Sequence, residues 1–202
     1  MANTNAPFGF RHTSYQAGGA PDYQLSSYAI QSTYATKIGF GDVVCYAAAT
    51  AATPYLIQAT GALATTQPIV GIFQGCQYIP SGGGAPAWSP FYPGSVAQDA
   101  VAYVIDSPIA QFFVQTLNTA ITSAMIGQLV NFTTGACATV GAGLAIATID
   151  QSTATSSGTT VQLLPFRITG LYPGVGNGSD PTTPFNVARV AFNYQLFKSF
   201  AG

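Results

Sequence analysis

The sequence predicts an all-β protein: a single β-barrel or β-sandwich domain with an extended N-terminal arm and long Pro/Gly loops. Three observations carry that expectation. Many short runs alternate apolar and polar residues, clusters of turn residues separate them at modest spacing, and no long stretch shows a persuasive helical period. The densest signal is Ile69-Val-Gly-Ile-Phe-Gln-Gly-Cys-Gln-Tyr78. At period two, Val70, Ile72, Cys76 and Tyr78 share one face while Ile69 and Phe73 share the other, so neither face is expected in water and the run reads as a central strand. Gly71 and Gly75 fall with Phe73, where a missing side chain admits a second backbone or an aromatic ring, or marks a bulge.

Taken in order, residues 1–27 read as an arm and residues 28–202 as the β-domain. The arm carries Asn, Gly, Pro and Gln with isolated rings and too few apolar neighbours to fold alone. Within it, Phe8, Phe10 and Arg11 form a compact adhesive motif, expected either across a neighbouring subunit or on the parent domain. A strand pattern follows near Tyr28 to Tyr34, and Ile38 to Tyr46 reads as a turn punctuated by Gly39 and Gly41, with Asp42 as a turn residue, leading into a strand. Ala47 to Thr53 reads as strand end and loop, and Pro54 forces extended chain before it. Tyr55 to Ala59 and Ile69 to Tyr78 read as successive strands. Pro80 to Gly94, with four prolines, four glycines and the only tryptophan, is the clearest loop, and its Trp88, Phe91 and Tyr92 suit a contact surface or fold back over the barrel end. Val101 to Asp106 and Ile109 to Leu117 pair across Ser107-Pro108. Thr119 to Met125 allows a helical turn or two, stopped by Gly127, Leu129 to Phe132 leads to a Thr-Thr-Gly turn, and Ser152 to Thr160 is a polar loop. Strand regions at Val161 to Leu171 and Val187 to Tyr194 flank a last Pro/Gly/Asn loop.

Only 5% of the 202 residues are charged, and there is no glutamate; soluble domains average about a quarter. No Asp, Glu, Lys or Arg occurs between Asp42 and Asp99 or between Asp106 and Asp150. With a formal net charge of −1, colloidal repulsion is weak, which points to ordered self-association or a fixed partner. Arg11, Lys37, Arg167, Arg189 and Lys198 are scattered singly, whereas phosphate binding needs a clustered basic face, so no nucleic acid is expected. No apolar run reaches the ~20 residues of a membrane helix, and the N-terminus lacks a secretory pattern, so synthesis in a cytoplasm is expected.

Catalysis finds little purchase in these residues. The only histidine, His12, lies in the arm, and the aspartates sit beside Gly, Ser, Pro or loop residues, as turn formers do. A carboxylate pair of the glycosidase kind is possible among six aspartates, but nothing in their placement selects one. Cys45, Cys76 and Cys137 offer no paired spacing for zinc, and the first two sit in apolar strands as small hydrophobes. No catalytic, cofactor or metal residues are assigned.

The ordered succession of Pro7-Phe-Gly-Phe-Arg11, Tyr34-Ala-Thr-Lys-Ile-Gly-Phe-Gly-Asp42, Ile69 to Tyr78, Tyr92-Pro-Gly94, Val101-Ala-Tyr-Val-Ile-Asp-Ser-Pro108, Phe113-Val-Gln115, Ile126-Gly127 and Phe166-Arg-Ile-Thr-Gly-Leu171 resembles the head-decoration (cement) and minor capsid structural proteins of tailed bacteriophages. The resemblance implies a non-enzymatic protein on the outer capsid surface of the virion, made in the host cytoplasm, that clamps neighbouring major capsid proteins. It further implies self-association as a trimer or dimer at a symmetry axis. On this reading Phe8, Phe10, Arg11, Trp88, Phe91 and Tyr92 make the contacts. The alternative is a carbohydrate-binding β-module of a phage head or tail fibre, with Trp88 and Tyr92 as a stacking platform.

Overall fold

The computed structural model describes residues 2–32, 34–47, 54–95, 97–135, 143–156 and 163–198. The Ala47 to Thr53 run beyond Ala47, Cys137 and most of the Ser152 to Thr160 loop's second half lie outside them. The architecture is all-β, as the alternating runs predict. Twelve strands are β1 (Arg11–Tyr15), β2 (Ser26–Ile30), β3 (Val43–Tyr46), β4 (Leu56–Gln58), β5 (Ile69–Pro80), β6 (Ala87–Ser89), β7 (Ala97–Ile105), β8 (Ala110–Gln115), β9 (Leu129–Thr133), β10 (Thr148–Thr155), β11 (Phe166–Leu171) and β12 (Val187–Phe192). Two 3₁₀ turns, Leu63–Thr65 and Ser123–Met125, are the helical segments among the described residues.

Strands β3, β4, β2, β7 and β5 pair in that order, and β3 pairs back to β5, which closes a five-stranded barrel with β6 added along β5. The remaining strands form a second sheet in the order β1-β8-β12-β11-β9-β10. This sheet curls far enough for Ile149 at its outer strand to bridge Thr116 just past β8. Closing and curling leave few free edges, the usual hazard of β proteins.

Strand β5 is a barrel strand whose two faces line two cores, and its two bulges decide which residue faces which. Gly71 lies opposite Val44 and Ile69 opposite Cys45, so one residue, Val70, is extra; Phe73 lies opposite Val104 and Gly75 opposite Tyr103, so Gln74 is extra. Each bulge reverses the alternation. Val70, Phe73 and Cys76 therefore fill the barrel with Ile30, Val44 and Leu56, while Ile69 and Ile72 join Phe112, Phe166 and Phe192 between the barrel and the second sheet. The uninterrupted period expected from the sequence, with Val70 and Ile72 on one face, is corrected on this point.

Gly71 shows why the residue there is glycine. A Cβ would lie 2.2 Å from the Ile105 carbonyl oxygen and 2.7 Å from Val104 Cγ1, so β7 can approach only a bare backbone. Gly71→Ala is expected to lower stability by about 3 kcal/mol, the upper end of overpacking costs. Gly82→Ala, where a Cβ meets nothing within 4 Å, serves as the near-neutral control in the same urea titration.

The arm is part of this fold rather than a free extension. Strand β1 lies inside residues 1–27 and pairs antiparallel with β8, and Asn3 donates from Nδ2 to the Asp180 carbonyl at 2.8 Å and to Thr183 Oγ1 at 2.9 Å. Buried Gln115 accepts from the Ala6 N–H at 2.9 Å and donates to the Thr4 carbonyl at 2.9 Å. The connection from Gln16 to Leu25, exposed apart from half-buried Pro21, carries the chain from the second sheet into the barrel.

Candidate interaction surface

The six residues singled out in the sequence separate into buried and exposed groups. Phe10 is fully buried, stacked on Phe166 at 4.6 Å between ring centroids and edge-on to Phe112 and Phe132 at 6.4 and 6.2 Å. Its place in the core removes it from any contact surface. Arg11 is half-buried with its guanidinium 4.4 Å above the Phe40 ring, a cation–π contact within the chain. Phe8 is half-buried.

The aromatic loop divides in the same way. Tyr92 is fully buried inside the barrel, where it stacks on Tyr34 at 6.2 Å and its hydroxyl donates to the Tyr34 carbonyl at 3.0 Å. Phe91 is half-buried and packs against Gly143, where a Cβ would fall 2.3 Å from the ring. Tyr92 is thus corrected from a contact residue to a core residue, and a platform of Trp88 with Tyr92 does not exist. Trp88 alone faces outward, at 65% exposure.

Trp88 belongs to a flat row on the barrel's outer face. Pairing places Trp88 beside Gln77, Gln77 beside Val101, and Val101 beside Ala29, across β6, β5, β7 and β2. The ring rests over Gly75, where a Cβ would sit 3.2 Å from its Cζ2, so glycine lets the indole lie down and leaves its other face free. Val101 is 40% exposed, and a shallow depression of about 180 Å³ next to it is lined by Gln77, Tyr78, Ile79, Pro86, Asp99 and Val101.

A second apolar patch gathers at the far end of β5. The Leu196 N–H donates to the Ile69 carbonyl at 2.9 Å, and Gln195 Nε2 donates to the Val70 and Asp106 carbonyls at 2.8 and 3.0 Å, which pins the C-terminal segment beside the β7–β8 turn. The Gln16 N–H donates to the Ile109 carbonyl at 2.9 Å, and Ser26 pairs with Val104, which brings the β1–β2 connection to the same end. Tyr23, Leu25, Ile109, Leu196 and Phe197, all 40–57% exposed, therefore converge from three stretches of chain. Sequence reading missed this patch because its members are far apart in the chain. The available signal was apolar residues in turns, Ile109 after Ser-Pro and Phe197 after the last strand. Gln77 beside Trp88 and Ile69 beside Leu196 are eight residues apart on β5, and at about 3.3 Å per residue the two patches stand roughly 25 Å apart.

Several aspartates are engaged by hydroxyl donors within the chain. Asp150 Oδ1 accepts from Ser152 Oγ at 2.5 Å, Asp180 Oδ1 from Thr182 Oγ1 at 2.6 Å, and Asp106 Oδ2 from Tyr28 Oη at 2.5 Å. Asp42 is different, because it is fully buried. Its Oδ2 accepts from the Gly39 N–H at 2.7 Å and from Gln58 Nε2 at 2.8 Å, its Oδ1 has no partner, and burial raises its pKa to about 6 against those two hydrogen bonds. Cys45 and Cys76 are buried free thiols, pushed by desolvation to about 11 and 12, and so sit in the core as apolar groups. Among the described residues no group of three or more His, Cys, Asp or Glu side chains is placed to hold a metal ion.

No protein-family model matches the sequence, and neither a curated protein nor a solved structure matches it.

Proposed function

We propose that this chain is a structural virion protein that decorates and cements the outside of an icosahedral tailed-phage capsid by bridging major capsid proteins. The observation that supports the reading is the pair of apolar patches, roughly 25 Å apart along β5, on a surface with very few charges. One patch makes a binder; two on a stiff body make a bridge, since the second contact forms at high effective concentration once the first is made. Weak charge suits this role, because neighbours that approach in a fixed geometry need no electrostatic repulsion to stay apart. Self-association as a trimer or dimer at a symmetry axis belongs to the same reading.

Purified expanded shells that lack the protein provide the test. Trp88→Ala and Phe197→Ala are each expected to weaken retention about 30-fold, as loss of a buried aromatic anchor of ~2 kcal/mol does, and together to abolish it. Undiminished occupancy with the double variant would remove the proposal. The exposed upper face of Trp88 also favours a second reading, a carbohydrate-binding β-module, in which the ring stacks on a sugar. Glycan-array binding by the wild type that disappears in Trp88→Ala, with shell retention intact, would select it.

A further inference from the structure

Asn177-Gly178 lies between β11 and β12, with Asn177 exposed and Gly178 buried. In an Asn-Gly pair no side chain hinders the glycine nitrogen as it approaches the asparagine side-chain carbon, so this dipeptide closes a five-membered succinimide more readily than any other Asn-X pair. The N-terminal segment holds both reacting groups. The Thr4 N–H donates to Asn177 Oδ1 at 2.6 Å, and Asn177 Nδ2 donates back to the Thr4 carbonyl at 3.3 Å. The Gly178 N–H, which carries the nucleophilic nitrogen, donates to Asn3 Oδ1 at 2.9 Å.

Asn3 is itself fixed by the bonds from its Nδ2 to Asp180 and Thr183, and its backbone N–H adds a contact to Thr183 Oγ1 at 3.3 Å. The glycine cannot be exchanged for a slower residue. Its φ is +88°, and a Cβ would fall 2.4 Å from Val187 Cγ2 at the start of β12. The turn therefore requires the residue that makes the asparagine labile.

We infer that Asn177-Gly178 is a latent deamidation site held closed by Asn3 and Thr4, so that seating of the N-terminal segment and chemical ageing of the chain are coupled. In the reaction the Gly178 nitrogen loses its proton and attacks Asn177 Cγ. The N–Cγ bond forms, the Cγ–Nδ2 bond breaks, and Nδ2 leaves as ammonia with that proton. Solvent water then opens the ring at either carbonyl to give aspartate or isoaspartate. While the segment is seated, the amide is gripped by Thr4 and the Gly178 N–H is engaged by Asn3, so attack waits for both bonds to open.

The product keeps one of the two bonds to Thr4 and loses the other, since a carboxylate oxygen still accepts from the Thr4 N–H but has no N–H to give back. A carboxylate replaces the Nδ2 donor and faces the Thr4 carbonyl, two acceptors together, and one added negative charge takes the formal net charge from −1 to −2. Isoaspartate also adds a methylene to the backbone path.

Mass spectrometry of the intact chain aged in warm, mildly alkaline buffer, followed by trypsin, tests the inference. The peptide between Arg167 and Arg189 contains Asn177 and Asn186, which fragment ions distinguish. A one-dalton gain at Asn177 is expected at least about tenfold more slowly in the native chain than in the same chain in guanidinium, and Asn3→Ala is expected to recover about tenfold of that rate. Thr4→Pro, which deletes the N–H donor and no side-chain contact of Asn3, is expected to act in the same direction, and Asn177→Gln to show no gain. Equal rates in native and unfolded wild-type chain would overturn the inference. So would unchanged rates in both variants with native circular dichroism, or no gain at Asn177 in the unfolded chain.

Discussion

Phe10→Ala is expected to remove about 3–5 kcal/mol of folding stability, a large share of the ~5–15 kcal/mol that a domain has. The ring is fully buried among Phe112, Phe132 and Phe166, and its stacked and edge-on contacts are lost together with its transfer free energy. The cavity would not collapse easily. Gly9 just before it approaches so closely that a Cβ there would stand 2.8 Å from Ala145 Cβ, and the Phe10 N–H is tied to the Gly41 carbonyl at 2.9 Å, so the backbone stays where it is. Urea denaturation of the isolated chain reads the loss directly. Phe8→Ala, at a half-buried position, is expected to cost much less. An arm that merely draped over a neighbouring subunit would leave the midpoint of the isolated Phe10→Ala chain unchanged, and that result would refute the fold as described.

The second large effect is a dependence on pH set by Asp42. Its carboxyl is raised from 3.8 to about 6, chiefly by desolvation, so the folded chain binds this proton more tightly than the unfolded chain does. Linkage then makes Asp42 destabilising above about pH 6, and its penalty of roughly 3 kcal/mol is relieved as the pH falls through 6 towards 4. His12 works against it in the same range. Burial among Tyr15, Tyr23 and Phe112 lowers the His12 pKa below 6.5, so the unfolded chain takes that proton first and stability is lost on acidification. Asp22 and Asp180, held low by hydrogen bonds from Tyr15 and Thr182, lose their contributions only below the ordinary carboxylate range. Subtracting the stability of Asp42→Asn from that of the wild type at each pH isolates the one group. The difference is expected to move by roughly 2.5 kcal/mol in favour of the wild type between about pH 7 and pH 4. A flat difference would mean that Asp42 titrates like an exposed carboxyl.

Strands with clean alternation or a continuous apolar run were legible in the sequence: β5, β7, β8, β11 and β12 all fall where the pattern put them, because period-two burial is written locally. The expected pairing of β7 with β8 across Ser107-Pro108 is corrected, since β7 pairs with β2 and β5 and β8 with β1 and β12. Three elements were not legible. Strand β1 lies in an arm poor in apolar neighbours, and its partner β8 is about a hundred residues away, so nothing local announces the pairing. Strand β6 is three residues inside a Pro/Gly loop, and β10 is a polar Thr/Ser/Asp/Gln run at a sheet edge, where few large apolar side chains are required. The faces of β5 were misread for a related reason, since a bulge is decided by the partner strand and not by the bulged residues alone.

The surface was legible only in part. Trp88 was found because an exposed tryptophan in a proline-rich loop is conspicuous. Tyr92 carries the same local signal, yet it points inward because its hydroxyl finds backbone carbonyls at the barrel end. Composition can identify rings suited to contact. It does not say which of them the chain has already used.

Strand β5 lies in the barrel, yet its two faces line both the barrel interior and the core beneath the second sheet, so the two cores have this wall in common. Pulling on one therefore strips the other, and opening should happen all at once, with the amides of β5 exchanging with solvent only when the whole molecule comes apart. Such a body fails late and completely under load, a behaviour suited to a clasp that is strained from two sides.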